Sequence, residues 1–474
     1  MEIGTTDVLI LGSGLAGLRA ALSARQEAPD LDITVVSATS GPSGSSFANR
    51  NDALGMQVCF SDKDQEIFAR EASSLAKPGR IIPELVEILT EESLPRFQDL
   101  CELGVRFSRD TQGRLCLHSG CFSPNSRRAA IFKNLAQAFA CFSSKLAGSV
   151  RFLSGWQATG LLKEDSTTPK VFGAMLQQTE EPATTFAVRS KTTIMALGGP
   201  APLYPWHQAG PSNPGYSLAL LNRAGVHLMN HGFLQMMWAR ASDRSFWSFR
   251  SFRPGFLVRQ PDGGTRAADS ALFEHRTQRI SHCPAAYRLA DAEMDRFLLE
   301  HLNYDGFVQV HSPDCGWQAI APMAHAGNGG AKINAQSQTS LQSLYACGEC
   351  AAGMHGANRI GGAMVTATQV FGHRAGLFAA REALKAKQAD RQSLKKVFAD
   401  HAVNNEIMKN KTPIQKELIG RIQQSPLSDD HSFLSQVSDA LDEKLKSPDL
   451  PLEQELKLES LQLILADRLN HLLN

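Results

Sequence analysis

The sequence predicts an α/β fold with a lobe of different composition inserted into it and a helical C-terminal region. Three observations predict it. The apolar run at 8–11 passes through a glycine-rich turn into the Leu- and Ala-rich stretch 14–24, and then into a second apolar, β-branched run at 33–36. That is one Rossmann-like βαβ unit of about 30 residues. From about residue 230 the composition shifts, and 231–269 is dense in Arg, Phe, Trp and Met with no sustained helical or strand period. After Ser337 the first pattern returns, with a short strand at 343–346, a glycine-rich run over 353–362 and a helix over 363–386.

The remaining elements follow in order. Residues 83–102 read as one helix, and 192–197 as a buried strand broken by Gly198-Gly199-Pro200. Beyond Lys387 the chain is polar and helical, and Leu and Ile recur at helical spacing over 452–473. The expected units are therefore 1–232 and 319–386, together one dinucleotide-binding domain, with 233–318 as the inserted lobe and 387–474 as the helical region. No internal repeat or low-complexity tract is visible.

Composition bounds the function. The chain has 474 residues, more than one hydrophobic core usually serves. A 43% hydrophobic and 20% charged makeup is that of an ordinary globular protein. A net charge of +1 gives no electrostatic footprint for nucleic acid or an anionic membrane. Nine cysteines, odd in number and irregular in spacing, form no disulfide framework and fit a reducing compartment. No signal-peptide pattern and no window of about 18 apolar residues is present, so the expectation is cytoplasmic with no direct membrane insertion.

The turn Gly12-Ser13-Gly14-Leu15-Ala16-Gly17 follows a strand and opens a helix, the context that gives the G-x-G-x-x-G pattern its meaning. Gly12 permits the tight turn, Gly14 lets the backbone approach a pyrophosphate, and Gly17 lets helix and strand pack closely. The helix N-terminus then offers free N–H groups to the phosphates. An NAD site places a carboxylate at the end of the second strand; here that strand ends Val35-Val36-Ser37-Ala38. The remote segment Leu344-Tyr345-Ala346-Cys347-Gly348-Glu349 delivers an acid beside a glycine, which suits a flavin ribityl hydroxyl, a group that NAD lacks. The dinucleotide expected is FAD.

The run from Gly348 to Gly362, G-E-C-A-A-G-M-H-G-A-N-R-I-G-G, resembles a segment of the flavoprotein family of fumarate reductase, succinate dehydrogenase and L-aspartate oxidase. Ala324-His325-Ala326-Gly327-Asn328-Gly329-Gly330 and Ala196-Leu197-Gly198-Gly199 are similar to two further motifs of that family. The resemblance implies a flavin domain, an α+β capping domain closing over the isoalloxazine and a C-terminal helical region. It implies flavin contacts at Gly12, Ser13, Gly14, Leu15, Ala16, Gly17, Ser37, Ser45, Ser46, Ala196, Gly198, Gly199, Glu349, Gly361, Gly362, Ala363 and Met364. Ser45 stands where some members carry the histidine that bonds covalently to FAD, so non-covalent binding is implied. His325 and Arg359 match positions that bind a substrate carboxylate, and hydride passes between flavin N5 and a carbon of that substrate.

The departures fall on the substrate side. The family's Q-x-H-P element is Gln235-Met236-Met237-Trp238, and its L-A-P-R-D motif, which carries the proton-shuttling Arg, becomes Ser281-His282-Cys283-Pro284-Ala285. Arg288 is the nearest surviving arginine, and Arg250, Arg253 and Arg288 are candidates to rebuild an anion site, with Trp238 and Trp247 as its apolar wall. These changes argue against plain fumarate or succinate. Three functions stay open: an oxidoreductase acting on a carboxylate-bearing small molecule, an electron-transfer subunit serving an iron–sulfur or other redox protein, and a flavoprotein that has lost catalysis. The C-x-x-C at Cys347–Cys350 lies inside the flavin segment without a second pair at zinc spacing, so no metal is assigned.

Overall fold

The computed structural model describes residues 3–260, 262–387, 416–447 and 450–473. The helical stretch expected just beyond Lys387 therefore lies, as far as residue 415, outside the described residues. The strand Ile3–Leu11 runs between Ile33–Ser37 and Thr185–Met195, parallel to both. Arg151–Ser154 extends the sheet on one side; on the other it turns antiparallel through Val171–Gln178 and Trp156–Lys163. Leu344–Ala346 pairs in parallel with the end of Thr185–Met195, so the two halves of the flavin-binding pattern join in one sheet. Val8, Leu9, Ile10 and Leu11 are all fully buried, which is why this strand reads as a continuous apolar run and not an alternation.

The helices Leu15–Glu27 and Ala363–Lys385 pack on that sheet and on each other. Their crossing is backbone against backbone: a Cβ added at Gly376 would lie 2.1 Å from the carbonyl oxygen of Ala20, so only glycine fits.

The inserted lobe is built on a five-stranded antiparallel sheet, in the order Leu234–Arg240, Gly316–Gly327, Val308–Ser312, Leu257–Arg259, Thr265–Ala267. Three of these strands have five residues or fewer, too short to show a period in the sequence. The expected boundary at 318/319 falls inside the strand Gly316–Gly327. Trp238, Trp247, Phe249, Phe252, Phe256 and Phe297 fill the lobe's core. Trp238 Nε1 donates to Asp295 at 2.8 Å, and Arg279 pairs with the same carboxylate at 2.9 Å. Trp238 and Trp247 thus hold the lobe together and form no part of the cavity wall.

The expected helix over 83–102 is two, Pro83–Glu91 and Ser93–Glu102. Pro95 is the cause: it lacks an N–H and its ring clashes with the carbonyl four residues back, so it is tolerated only in the first turn of a new helix. The C-terminal helices Lys416–Gln424, His431–Leu445 and Leu452–Leu473 bury Ile422, Leu434, Leu441, Leu461 and Ile464 against Leu218 of the first domain and Leu234 and Met236 of the lobe. They bridge both units. Among the described residues no helix is long and apolar enough to cross a membrane.

Candidate active site

One cavity runs from the glycine turn to the edge of the lobe. Gly12 has φ +112°, and a Cβ there would lie 2.3 Å from Ala196 O, while a Cβ on Gly17 would lie 2.0 Å from Gly12 O. The turn thus closes on itself, and the helix Leu15–Glu27 begins at Gly14 with no side-chain cap, leaving its first N–H groups directed at the cavity. Ser37 Oγ lies 2.7 Å from Ser13 Oγ at the end of the second strand, where an NAD site would present a carboxylate. This geometry accepts a pyrophosphate and leaves an uncharged ribose pocket.

Gly12, Ser13, Gly14, Leu15, Ala16, Ser37, Ser45, Ser46, Ala196, Gly198, Glu349, Gly361, Gly362 and Met364 all line the cavity. Gly17, Gly199 and Ala363 lie behind it. Gly199 makes room for Glu349, whose Oε1 would sit 2.1 Å from any added Cβ there. Glu349 Oε1 accepts from the Gly327 N–H at 2.6 Å. Burial pushes the Glu349 carboxyl above its usual range, opposed by the N–H groups of Gly327 and Gly199 and by the charge of Arg359. Ser45 Oγ is buried without a hydrogen-bond partner, as a hydroxyl awaiting a ligand would be. The helix Ala363–Lys385 aims its uncapped N-terminus, at Gly362, into the same space. Two uncapped helix ends, an orphaned hydroxyl and a remote acid fit FAD.

The far end of the cavity is formed by the lobe together with Arg359 and His325. Arg359 is buried; its Nη2 donates to Gln235 Oε1 at 2.5 Å, and Gln235 Nε2 returns a bond to Arg359 O at 2.9 Å. Its Nη1 has no hydrogen-bond partner, and among the described residues no carboxylate forms a salt bridge with it. Burial holds the Arg359 pKa down to about 10, with Glu349 opposing, so the guanidinium stays charged at neutral pH. His325 stands near the end of the strand Gly316–Gly327, edge-on to Phe246 at 6.3 Å, with Nδ1 unpartnered. Burial and then the Arg359 charge push its pKa down to about 4, so the ring is neutral at physiological pH.

Arg288 is not in the cavity. The chain turns through φ +53° at this residue, and the exposed side chain donates to the His471 carbonyl of the C-terminal helix at 3.1 Å. Arg253 pairs with Asp314, and Arg250 is exposed on the lobe. Arg244, in the turn after Leu234–Arg240, does line the cavity, with Nη1 3.4 Å from His207 O, as does Arg50. Met237 and Phe246 supply the apolar wall. Gln208 and Asn213 also line the cavity, as do three cysteines, Cys121, Cys283 and Cys347. Gln235, Met237 and Cys283 stand in segments that align with family motifs, and Cys347 adjoins one; Cys121, the pair Gln208 and Asn213, and the pair Arg244 and Phe246 come from three other loops and carry no local signal.

Comparison with known proteins agrees with this geometry. A family model described as the FAD binding domain matches residues 7–365. The chain is 27% identical over 431 residues to a subunit of the fumarate reductase (CoM/CoB) of Methanothermobacter marburgensis, covering 83% of this chain and 76% of that one. It is 25% identical over 397 residues to the L-aspartate oxidase of Clostridium acetobutylicum, covering 78% and 87% respectively. Its fold superposes on the Sdh1 complex of Mycobacterium smegmatis with a TM-score of 0.76 at 17% identity, over 99% of this chain and 87% of that one. On the E. coli quinol fumarate reductase the TM-score is 0.72 at 18% identity, over 100% and 88%. The glycine cradle, the remote acid and a match spanning most of the sequence converge: the chain belongs to the FAD binding domain family and is an FAD-dependent oxidoreductase of the fumarate reductase and L-aspartate oxidase kind.

Proposed function

We propose that the chain binds FAD non-covalently and exchanges a hydride with a carboxylate-bearing small molecule held against Arg359 and His325. The observation that carries this is the buried guanidinium with a free Nη1 and, among the described residues, no carboxylate in salt-bridge contact with it. A buried charge with no salt-bridge contact is costly unless an anion comes to meet it. Gln235 fixes the guanidinium plane from behind, so its free edge meets a carboxylate in one orientation. His325, neutral, adds a ring nitrogen to the same group without adding repulsion to Arg359. Met237 and Phe246 exclude water from the reacting carbon, and Arg244 gives a second positive contact at the lobe's edge. The bound isoalloxazine supplies the two-electron chemistry. Ser45 has no nucleophilic imidazole to offer the flavin, which supports non-covalent binding.

With Trp238 committed to the lobe's core and Arg288 turned outward, a substrate other than plain fumarate or succinate is favoured. The test is anaerobic: photoreduced holoprotein is mixed with a panel of unsaturated and keto acids, and oxidised holoprotein with saturated acids and amino acids, following flavin absorbance. Reaction with one panel member and not with fumarate or L-aspartate is expected. Fast turnover of either of those two, or silence across the whole panel, overturns the reading. A second reading, electron delivery to a redox protein, draws on the relative that is one subunit of a fumarate reductase and on the Sdh1 complex. Slow reoxidation of the reduced flavin by O₂ favours it; fast reoxidation favours an oxidase.

A further inference from the structure

Cys121 and Cys283 are 162 residues apart in sequence and meet at the cavity. Cys121 occupies the two-residue turn between the strands Leu117–Gly120 and Ser123–Lys133 of the flavin domain. Its carbonyl accepts from the Gly361 N–H at 2.9 Å, which ties it to the glycine pair opening the helix Ala363–Lys385. Cys283 belongs to the lobe, in a loop held by the bond from Ala285 N–H to Met236 O at 2.7 Å. The Cys283 N–H donates to Cys121 Sγ at 3.3 Å. The backbone of one cysteine thus rests on the sulfur of the other, which brings together the two residues that a disulfide would join.

Two groups fix the surroundings. His282 stacks on Phe122, next to Cys121, at 4.1 Å, with Nε2 2.6 Å from Asp291 and Nδ1 2.7 Å from Pro284 O. Arg279, paired with Asp295, lies behind it. The hydrogen bonding from Cys283, with His282 and Arg279, lowers the Cys121 pKa from its usual thiol value, which favours this sulfur as the thiolate of the pair. The contrast is internal. Burial pushes Cys350 up to about 12 and Cys347 higher, so the C-x-x-C inside the flavin segment is inert, and Cys59 is held at about 11.

We propose that Cys121 and Cys283 form a reversible disulfide that exchanges two electrons with the FAD bound in the same cavity, giving the protein a second redox centre that spans its two units. The balance is complete. The Cys121 thiolate and the Cys283 thiol join in one S–S bond and release two electrons and one proton. Oxidised flavin takes up both electrons and the proton. In reverse, reduced flavin returns them and the bond opens. The proposal stands on FAD binding and not on the carboxylate assignment, so either can fail without the other.

The test uses holoprotein under anaerobic conditions. After mild oxidation, dithionite titration followed by flavin absorbance is expected to consume four electrons per flavin, two for each two-electron couple. Cys121→Ser and Cys283→Ser holoproteins consume two. In parallel, denaturing alkylation and peptide mapping of the oxidised holoprotein should find a Cys121–Cys283 cross-linked peptide, which disappears when the flavin is photoreduced before quenching. A wild-type titration that closes at two electrons overturns the proposal. So does a mapped disulfide that survives photoreduction of the flavin.

Discussion

Replacing Arg359 by methionine separates a charge kept for binding from a charge kept for folding. The side chain is buried, and the fold depresses its pKa from 12.5 to about 10. At about 1.4 kcal/mol per unit, the native state pays about 3 kcal/mol to hold the charged form. The sign follows from the depression: the penalty is fully present below pH 10 and fades as pH rises toward 12.5. Against it stands the hydrogen-bonded pair with Gln235, whose loss costs about 1–3 kcal/mol. The two nearly cancel, so Arg359→Met should leave stability within about 2 kcal/mol of wild type. Anion binding should suffer instead, because a charge-assisted hydrogen bond contributes about 1.5–3 kcal/mol, or about 10- to 150-fold in affinity. Urea denaturation of the holoprotein at fixed FAD gives the first quantity. Titration with malonate, followed by the flavin absorption spectrum, gives the second. A stability loss of about 3–5 kcal/mol, the usual result of breaking a buried ion pair, with malonate affinity unchanged, refutes the reasoning.

Three further outcomes follow from the same geometry. Gly376→Ala places a methyl 2.1 Å from Ala20 O and should cost about 1–3 kcal/mol through overpacking, although alanine favours helices; an unchanged urea midpoint contradicts the close crossing. Glu349→Gln exchanges charge-assisted bonds for neutral ones and should weaken FAD by about tenfold, read by flavin fluorescence on dilution; unaltered affinity removes Glu349 from the flavin site. His325, depressed from 6.5 to about 4, refuses a proton in the folded state that the unfolded chain accepts. Stability is therefore retained above pH 6.5 and lost as pH falls toward 4, and His325→Asn should flatten that part of the urea-midpoint profile; an unchanged slope assigns the acid sensitivity elsewhere.

The cofactor end of the molecule was legible because its requirements are local. A turn that closes on Gly12 and Gly17 admits nothing larger than glycine, and the helix that follows needs its N–H groups bare, so the pattern is written in consecutive residues. Glu349 was legible for a similar reason, as an acid delivered by a buried strand next to glycine. The other end of the cavity was harder. Arg244 and Phe246 reach the cavity from one loop and Gln208 from another, and only tertiary structure brings the two loops together. Arg288 was misplaced because one positive φ sends its side chain to the C-terminal helix, and proximity in sequence says nothing about that direction. Trp238 and Trp247 resemble a binding wall in composition, yet a small lobe needs its large aromatics for its own core.

The strand Gly316–Gly327 begins beside Val308–Ser312 within the lobe and delivers His325 to the cavity, while its neighbour Leu234–Arg240 delivers Gln235 and Met237. At about 3.3 Å per residue it is a rod about 40 Å long, anchored in one unit and working in the other. The segments that depart from the family pattern, around Arg244 and Cys283, hang from the edge of this frame as loops. Loops can be exchanged without shifting the rod. The architecture therefore divides its inheritance: the place of His325 is set by a ruler-like strand, and the loops at its margins can change without disturbing that place.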